Sequence, residues 1–257
     1  MRAFWGLALA VALIFQLLEI QVPRAVAPTP LRVSPVALSG PRLAPASSAG
    51  QPDSIRVLSW NTHGAPVGAL ARSLGPRQAD VLALQEVSAF GWEIAWLART
   101  LEREAVFLPL AYRWRPFGLA VLTGVPVRRA EARLLPSGPE PRAILLVEIP
   151  GLAVVNTHLE PSPRRRAQLQ VLRQVLEELS GPVVLLGDLN EQGLGDSFPE
   201  FTDVGRHSGI TYPNLSARID YILVRGWHGS EADVTVAPDS DHHVVEATIF
   251  RTARAEL

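Results

Sequence analysis

The sequence predicts an α/β fold, and three patterns support it. Short apolar runs recur at Ile55–Trp60, Val81–Leu84, Leu152–Val155 and Val183–Leu186. The last has no polar position at all, which marks a strand buried on both faces. Stretches with helical spacing separate the runs, and each run leads into a residue able to do chemistry. Polar groups at the carboxyl ends of buried strands are where α/β proteins place their sites. In Gly181–Asn190, Gly187 halts the run and reads as a sharp turn that brings Asp188 and Asn190 out together. An ordinary Asx-turn would leave the same trace.

In chain order, residues 1–22 come first. Arg2 precedes an apolar run from Ala3 to Phe15, prolonged by Leu17, Leu18, Ile20 and Val22. This reads as an uncleaved membrane anchor or a cleaved signal peptide, with a buried helix of the domain as the third reading. Pro28, just after the small-residue site Ala25-Val26-Ala27, counts against cleavage. Either of the first two readings puts the protein at a membrane or in a secreted form, outside the cytosol. Residues 23–53 are rich in Pro, Ala, Ser and Gly and read as a linker. The globular domain is expected over 54–257.

Inside the domain the four runs lead into Asn61, into Gln85 and Glu86, into Asn156 and His158, and into Asp188 and Asn190. Arg218–Val224, which holds Asp220, and His243–Phe250, preceded by Asp241 and His242, complete the set. Gly118–Leu122 and Ala143–Ile149 are further strands. One helix is predicted from Pro163 to Leu179, with Ser162 as N-cap and Gly181-Pro182 as stop. Leu169, Leu172, Leu176 and Leu179 form its buried stripe. A second, Ala89 to Leu101, carries Trp92, Trp96 and Leu97, a stripe read as core.

Composition narrows the chemistry. The 257 residues are 47% hydrophobic and 19% charged, enough for a sizeable core. All 24 basic residues are arginine, which points to a compositional bias and lowers the weight of any one arginine. There is no cysteine, so disulfides, zinc–thiolate sites and a thiol nucleophile are excluded. Four arginines and two acids precede Ser54, leaving 20 and 23 in the domain and a formal charge of −3. That is no footprint for gripping duplex nucleic acid. The strand-end set of carboxylates, carboxamides and imidazoles offers hard oxygen donors, which select Mg²⁺, Mn²⁺ or Ca²⁺. Such an inventory suits metal-assisted hydrolysis of a phosphate ester.

The pieces Ser59-Trp60-Asn61, Leu84-Gln85-Glu86-Val87, Asn156-Thr157-His158-Leu159, Gly187-Asp188-Leu189-Asn190, Arg218-Ile219-Asp220-Tyr221-Ile222 and Ser240-Asp241-His242 occur in this order. Together they resemble the endonuclease/exonuclease/phosphatase superfamily, which includes deoxyribonuclease I, exonuclease III, neutral sphingomyelinases, deadenylases and inositol-polyphosphate 5-phosphatases. The resemblance implies a four-layer sandwich of two mixed β-sheets with helices outside. It implies Glu86, Asn61 and Asp241 around Mg²⁺ or Mn²⁺, Asp188 on the attacking water, and Asn190 beside water and phosphate. It further implies His242 at the scissile phosphate, kept protonated by Asp220. His158 matches the deoxyribonuclease I and sphingomyelinase types, where exonuclease III types have tyrosine.

Outside these motifs, His63 and His243 read as structural. Arg115, Arg164 and Arg165 are candidates for a substrate phosphate. The expected partner is a phosphodiester, either nucleic acid or a lipid or inositol phosphate, met by a monomer held at the membrane through residues 1–22. A nuclease of the deoxyribonuclease I type comes first. The alternatives are a sphingomyelinase-like lipid or inositol-phosphate phosphohydrolase and a tethered binding protein with a vestigial site.

Overall fold

The computed structural model describes residues 32–38, 52–112 and 115–252. The segment read as anchor or signal peptide lies outside them. Strands are β1 (Arg32–Val33), β2 (Val36–Leu38), β3 (Ser54–Asn61), β4 (Val81–Val87), β5 (Glu104–Tyr112), β6 (Arg115–Thr123), β7 (Arg129–Leu135) and β8 (Arg142–Ile149). They continue with β9 (Leu152–His158), β10 (Val183–Asp188), β11 (Thr202–Asp203), β12 (Asp220–Arg225), β13 (Trp227–Gly229), β14 (Asp233–Thr235) and β15 (Val244–Arg251). The α-helices are α1 (Val67–Leu74), α2 (Gly91–Thr100) and α3 (Arg165–Glu178).

Two sheets form. One runs β1-β7-β8-β9-β10-β12-β11, the other β13-β15-β3-β4-β6-β5-β2, with β14 paired to β15. Each holds one parallel pair, β9–β10 and β3–β4, among antiparallel neighbours. A parallel pair needs a crossover, and α3 and α1 supply it. One apolar cluster draws on strands of both sheets and on no helix, including Val57, Ala83, Val121, Leu145, Val154, Leu186, Ile222 and Val245. A second joins α1 and α2 to β3–β6, and a third joins α3 to β8–β10 and β12. The architecture is therefore an α/β sandwich of four layers, helix, sheet, sheet, helix. In β10, Val184 and Leu186 face the other sheet while Val183 and Leu185 face α3. Two buried faces explain the unbroken apolar run.

Polar groups also tie the sheets together. Asn156 of β9 donates to Leu84 O and Ala120 O, both at 3.0 Å, and accepts from Gln85 Nε2 at 2.8 Å. Both side chains are fully buried, so this clasp fixes one register between the sheets and losing either partner would orphan the other.

Four expectations need correction. Within the supposed linker, residues 32–33 and 36–38 are edge strands paired with β7 and β5. Gly187 makes no turn: β10 runs through it to Asp188. At φ 148° an added Cβ would stand 2.0 Å from Thr157 O of β9, so the residue must be glycine for the strands to close. Gly187→Ala is expected to cost about 3 kcal/mol or more, read as a lower thermal midpoint. Helix α3 begins two residues later than predicted, at Arg165, with Ser162 Oγ accepting from Arg164 N. Lastly, Trp92 and Trp96 are not core. Ile94, Leu97 and Ala98 form the buried face of α2, and the two indoles stand 70% and 43% exposed.

Candidate active site

The four parallel strands end on the same side, and their last residues converge. Asp188 pairs in register with His158 on one side and with Asp220 on the other, giving a row across three neighbouring strands. From the second sheet, Asn61 closes β3, Glu86 lies near the end of β4, and Asp241-His242 stand one residue ahead of β15. Glu86 has φ 52° and sits in the register shift between Leu84 and Val87 of β4. A bulge re-aims a side chain at a sheet's rim. Asn190 has φ 54°. Left-handed backbone at a non-glycine residue is costly and clusters at functional sites.

Asn61 links the two halves. Its Nδ2 donates to Glu86 Oε1 and Asp188 Oδ2, both at 3.0 Å. Asp188 Oδ1 accepts Asn190 N at 2.9 Å, and its Oδ2 lies 3.3 Å from His158 Nε2 and 3.7 Å from His242 Nε2. His242 Nδ1 meets Asp220 Oδ2 at 2.9 Å, its ring lies against Tyr212 at 4.6 Å, and Trp60 Nε1 donates to its carbonyl. Asp188, Asp220 and His242 are all buried, with ligand-type atoms within 4.8 Å of one another.

Burial pushes the Asp188 carboxyl up, and the Asp220 charge adds to it; His242, Asn61 and the Asn190 N–H oppose, leaving it at about 8. Burial disfavours the His242 cation, but the hydrogen bond and charge of Asp220, with Asp188 and Asp241, outweigh it and raise the imidazole to about 9. His158 goes the other way: burial, the Arg142 guanidinium and His242 hold it well below the usual histidine range. Arg142 Nη1 donates to His158 Nδ1 at 2.7 Å, which leaves the ring proton on Nε2, 3.3 Å from Asp188 Oδ2 and 3.1 Å from Asn190 Nδ2, whose own hydrogen bond goes to Leu159 O.

The set expected from the resemblance therefore comes together. Of the arginines, Arg165 spends its guanidinium on Asn190 O and Glu191 Oε2, both at 2.7 Å, and so braces the strained Asn190. The Arg164 guanidinium lies beside Gly138. The Arg115 side chain lies outside the described part. Two neighbours escaped the sequence reading. His63, set aside as structural, places Nδ1 3.3 Å from Asp241 Oδ1 and 3.7 Å from Glu86 Oε2. Arg142 carries no motif signal; only its place at the start of β8 brings it to His158.

The profile of the Endonuclease/Exonuclease/phosphatase family matches residues 58–242, from the β3 motif to His242. The chain belongs to this family. No curated protein matches its sequence. Among solved structures it is similar to a family member from Beutenbergia cavernae, at 22% identity and TM-score 0.64, over 79% of this chain and 72% of that one. It is also similar to the human Nocturnin catalytic domain, at 18% identity and TM-score 0.63, over 79% and 97%. Truncated Caenorhabditis elegans TDP2 aligns at 18% and 0.57, over 77% and 98%. These likenesses establish the fold. Members of the endonuclease/exonuclease/phosphatase family are typically hydrolases of phosphate esters and generally depend on a divalent metal. The residues here fit such an ion. Asp241 Oδ1 is buried and makes no hydrogen bond, with His63 Nδ1 facing it at 3.3 Å, and a carboxylate oxygen so placed, beside the Glu86 carboxylate, is best satisfied by a cation. Glu86 and Asn61 stand beside it on the same rim.

Proposed function

We propose that this protein is a divalent-metal-dependent phosphodiesterase. The observation that carries the reading is the convergence on Asp188: His158 Nε2, His242 Nε2 and Asn61 Nδ2 all lie within 3.7 Å of its Oδ2. Glu86, Asn61 and Asp241 would hold Mg²⁺, with Mn²⁺ as substitute, which supplies charge neutralisation at the phosphoryl oxygens. Asp188, in its ionised form, orients the attacking water and takes its proton. Asn190 Nδ2 is held by Leu159 O at 2.8 Å, which leaves its Oδ1 for that water. His242, protonated beside Asp220, donates Nε2–H to the phosphate as negative charge develops. His158, neutral with its proton on Nε2, adds a second donor.

The test is hydrolysis of bis-p-nitrophenyl phosphate by the purified chain with Mg²⁺ or Mn²⁺, and its loss with chelator. No turnover with either ion would overturn the reading. Glu86→Gln is expected to raise the metal concentration for half-maximal activity about tenfold or more, as removal of one charged ligand weakens the site.

For substrate we keep the nuclease of the deoxyribonuclease I type first; His158 matches that type and the sphingomyelinase type alike and sets the chain apart from the exonuclease III branch. A second reading, a lipid or inositol-phosphate phosphohydrolase, is favoured by the exposed Phe90, Trp92 and Trp96. Plasmid, single-stranded DNA, RNA and sphingomyelin as parallel substrates separate the two, and lipid cleavage without nucleic-acid cleavage decides for the second. The complete residue set counts against a vestigial binding protein. Residues 1–22 would place the activity at a membrane or in a secreted form. The size of the mature protein in a membrane fraction distinguishes anchor from cleaved leader.

A further inference from the structure

Helix α2 presents an outer stripe of Trp92, Trp96 and Arg99, opposite its buried Ile94, Leu97 and Ala98. Phe90, at its N-cap, is 49% exposed. Burying two indoles would be strongly favourable, so leaving them in water calls for a partner. Position says which. Strand β2 is the outer edge of its sheet and packs beside α2, and its Val36 is also exposed. Two residues separate β2 from β1, the first described element, and only residues 23–31 lie between β1 and the apolar segment 1–22. Nine residues span at most about 30 Å. If residues 1–22 enter a bilayer, Arg32 at the start of β1 stays within that distance of its surface, and the β2 edge beside α2 follows it closely in the chain.

We infer that the Trp92–Trp96–Arg99 face of α2 is a lipid-contact surface that lies in the bilayer interface. Trp and Arg together suit that zone, where an indole's apolar body enters the headgroup boundary and a guanidinium reaches phosphates. Because α2 follows Glu86 by only four residues, this contact would set the catalytic rim close to the membrane plane.

The chain has no cysteine, so single-site labels report cleanly. Trp92→Cys in the full chain, carrying an environment-sensitive fluorophore, is incorporated into phosphatidylcholine–phosphatidylglycerol vesicles with lipids spin-labelled high on the acyl chain. Gln174→Cys, exposed on α3 across both sheets, is the reference. A blue-shifted emission at position 92 and quenching at least about twofold stronger than at 174 are expected for an interfacial helix face. Equal quenching overturns the inference. So does a label at 92 already shielded without vesicles in a chain that runs as a dimer, since a second copy then covers the face. Trp96→Cys repeats the measurement should the first variant fold poorly.

Discussion

Asparagine in place of Asp188 lowers turnover by about 10³-fold while fold and divalent-ion affinity survive. The side chain is buried at the end of β10, held by Asn190 N and Asn61 Nδ2. Asparagine fills the same space, but its single amide oxygen cannot accept from both Asn190 N and Asn61 Nδ2, so the fold survives at a cost of about 1–3 kcal/mol. What it removes is the acceptor for the water's proton. The ion-binding carboxylates, Glu86 and Asp241, are untouched. Initial rates on bis-p-nitrophenyl phosphate, a thermal melt and calorimetric titration with Mn²⁺ check the three parts. A near wild-type rate would remove Asp188 from its assigned role.

The second large effect lies at Asp220. Burial alone would keep His242 neutral; the Asp220 hydrogen bond and charge overturn that and bring it to about 9. Asp220→Asn removes the two strongest influences that favour the cation, the hydrogen bond and the charge of Asp220, so burial prevails and His242 is expected to be neutral at pH 8. Activity at pH 8 is expected to fall about 10²-fold, with recovery as pH is lowered and the alkaline limb of kcat/KM moved below neutrality. Stability follows the same linkage. A histidine whose folded value is raised stabilises fully below the unfolded value near 6.5 and loses that contribution as pH rises through 9. The wild-type melting temperature should therefore decline from pH 6.5 to 9.5 relative to the variant, and ring-proton titration by NMR locates His242 directly. An unchanged alkaline limb would separate Asp220 from the protonation of His242.

The strands that carry the site were legible because burial on both faces leaves long apolar runs, as in Val183–Leu186. Strand β7 was not. Its residues, Arg-Ala-Glu-Ala-Arg-Leu-Leu, are mostly good helix formers, and pairing between β1 and β8 overrides that preference. The indoles of α2 misled for a related reason. Spacing shows that Trp92 and Trp96 share a face, but which face meets the sheet depends on Ile94, Leu97 and Ala98 competing for it. His63 and Arg142 were missed because neither belongs to a recurrent motif; each enters by a fold that brings distant strand ends together.

The sequence by itself determined the α/β class, the family and the identity of the polar residues at the strand ends, since burial and backbone chemistry write these locally. Tertiary structure alone decided how those ends combine. Gly187, read as a turn, is instead the place where β9 and β10 approach too closely for a Cβ. That approach sets Asp188 in line with His158 and Asp220. The second sheet then supplies Asn61 and His242 from the far side. Protonation states arise only there, because desolvation and neighbouring charge are properties of the packed site and not of any segment.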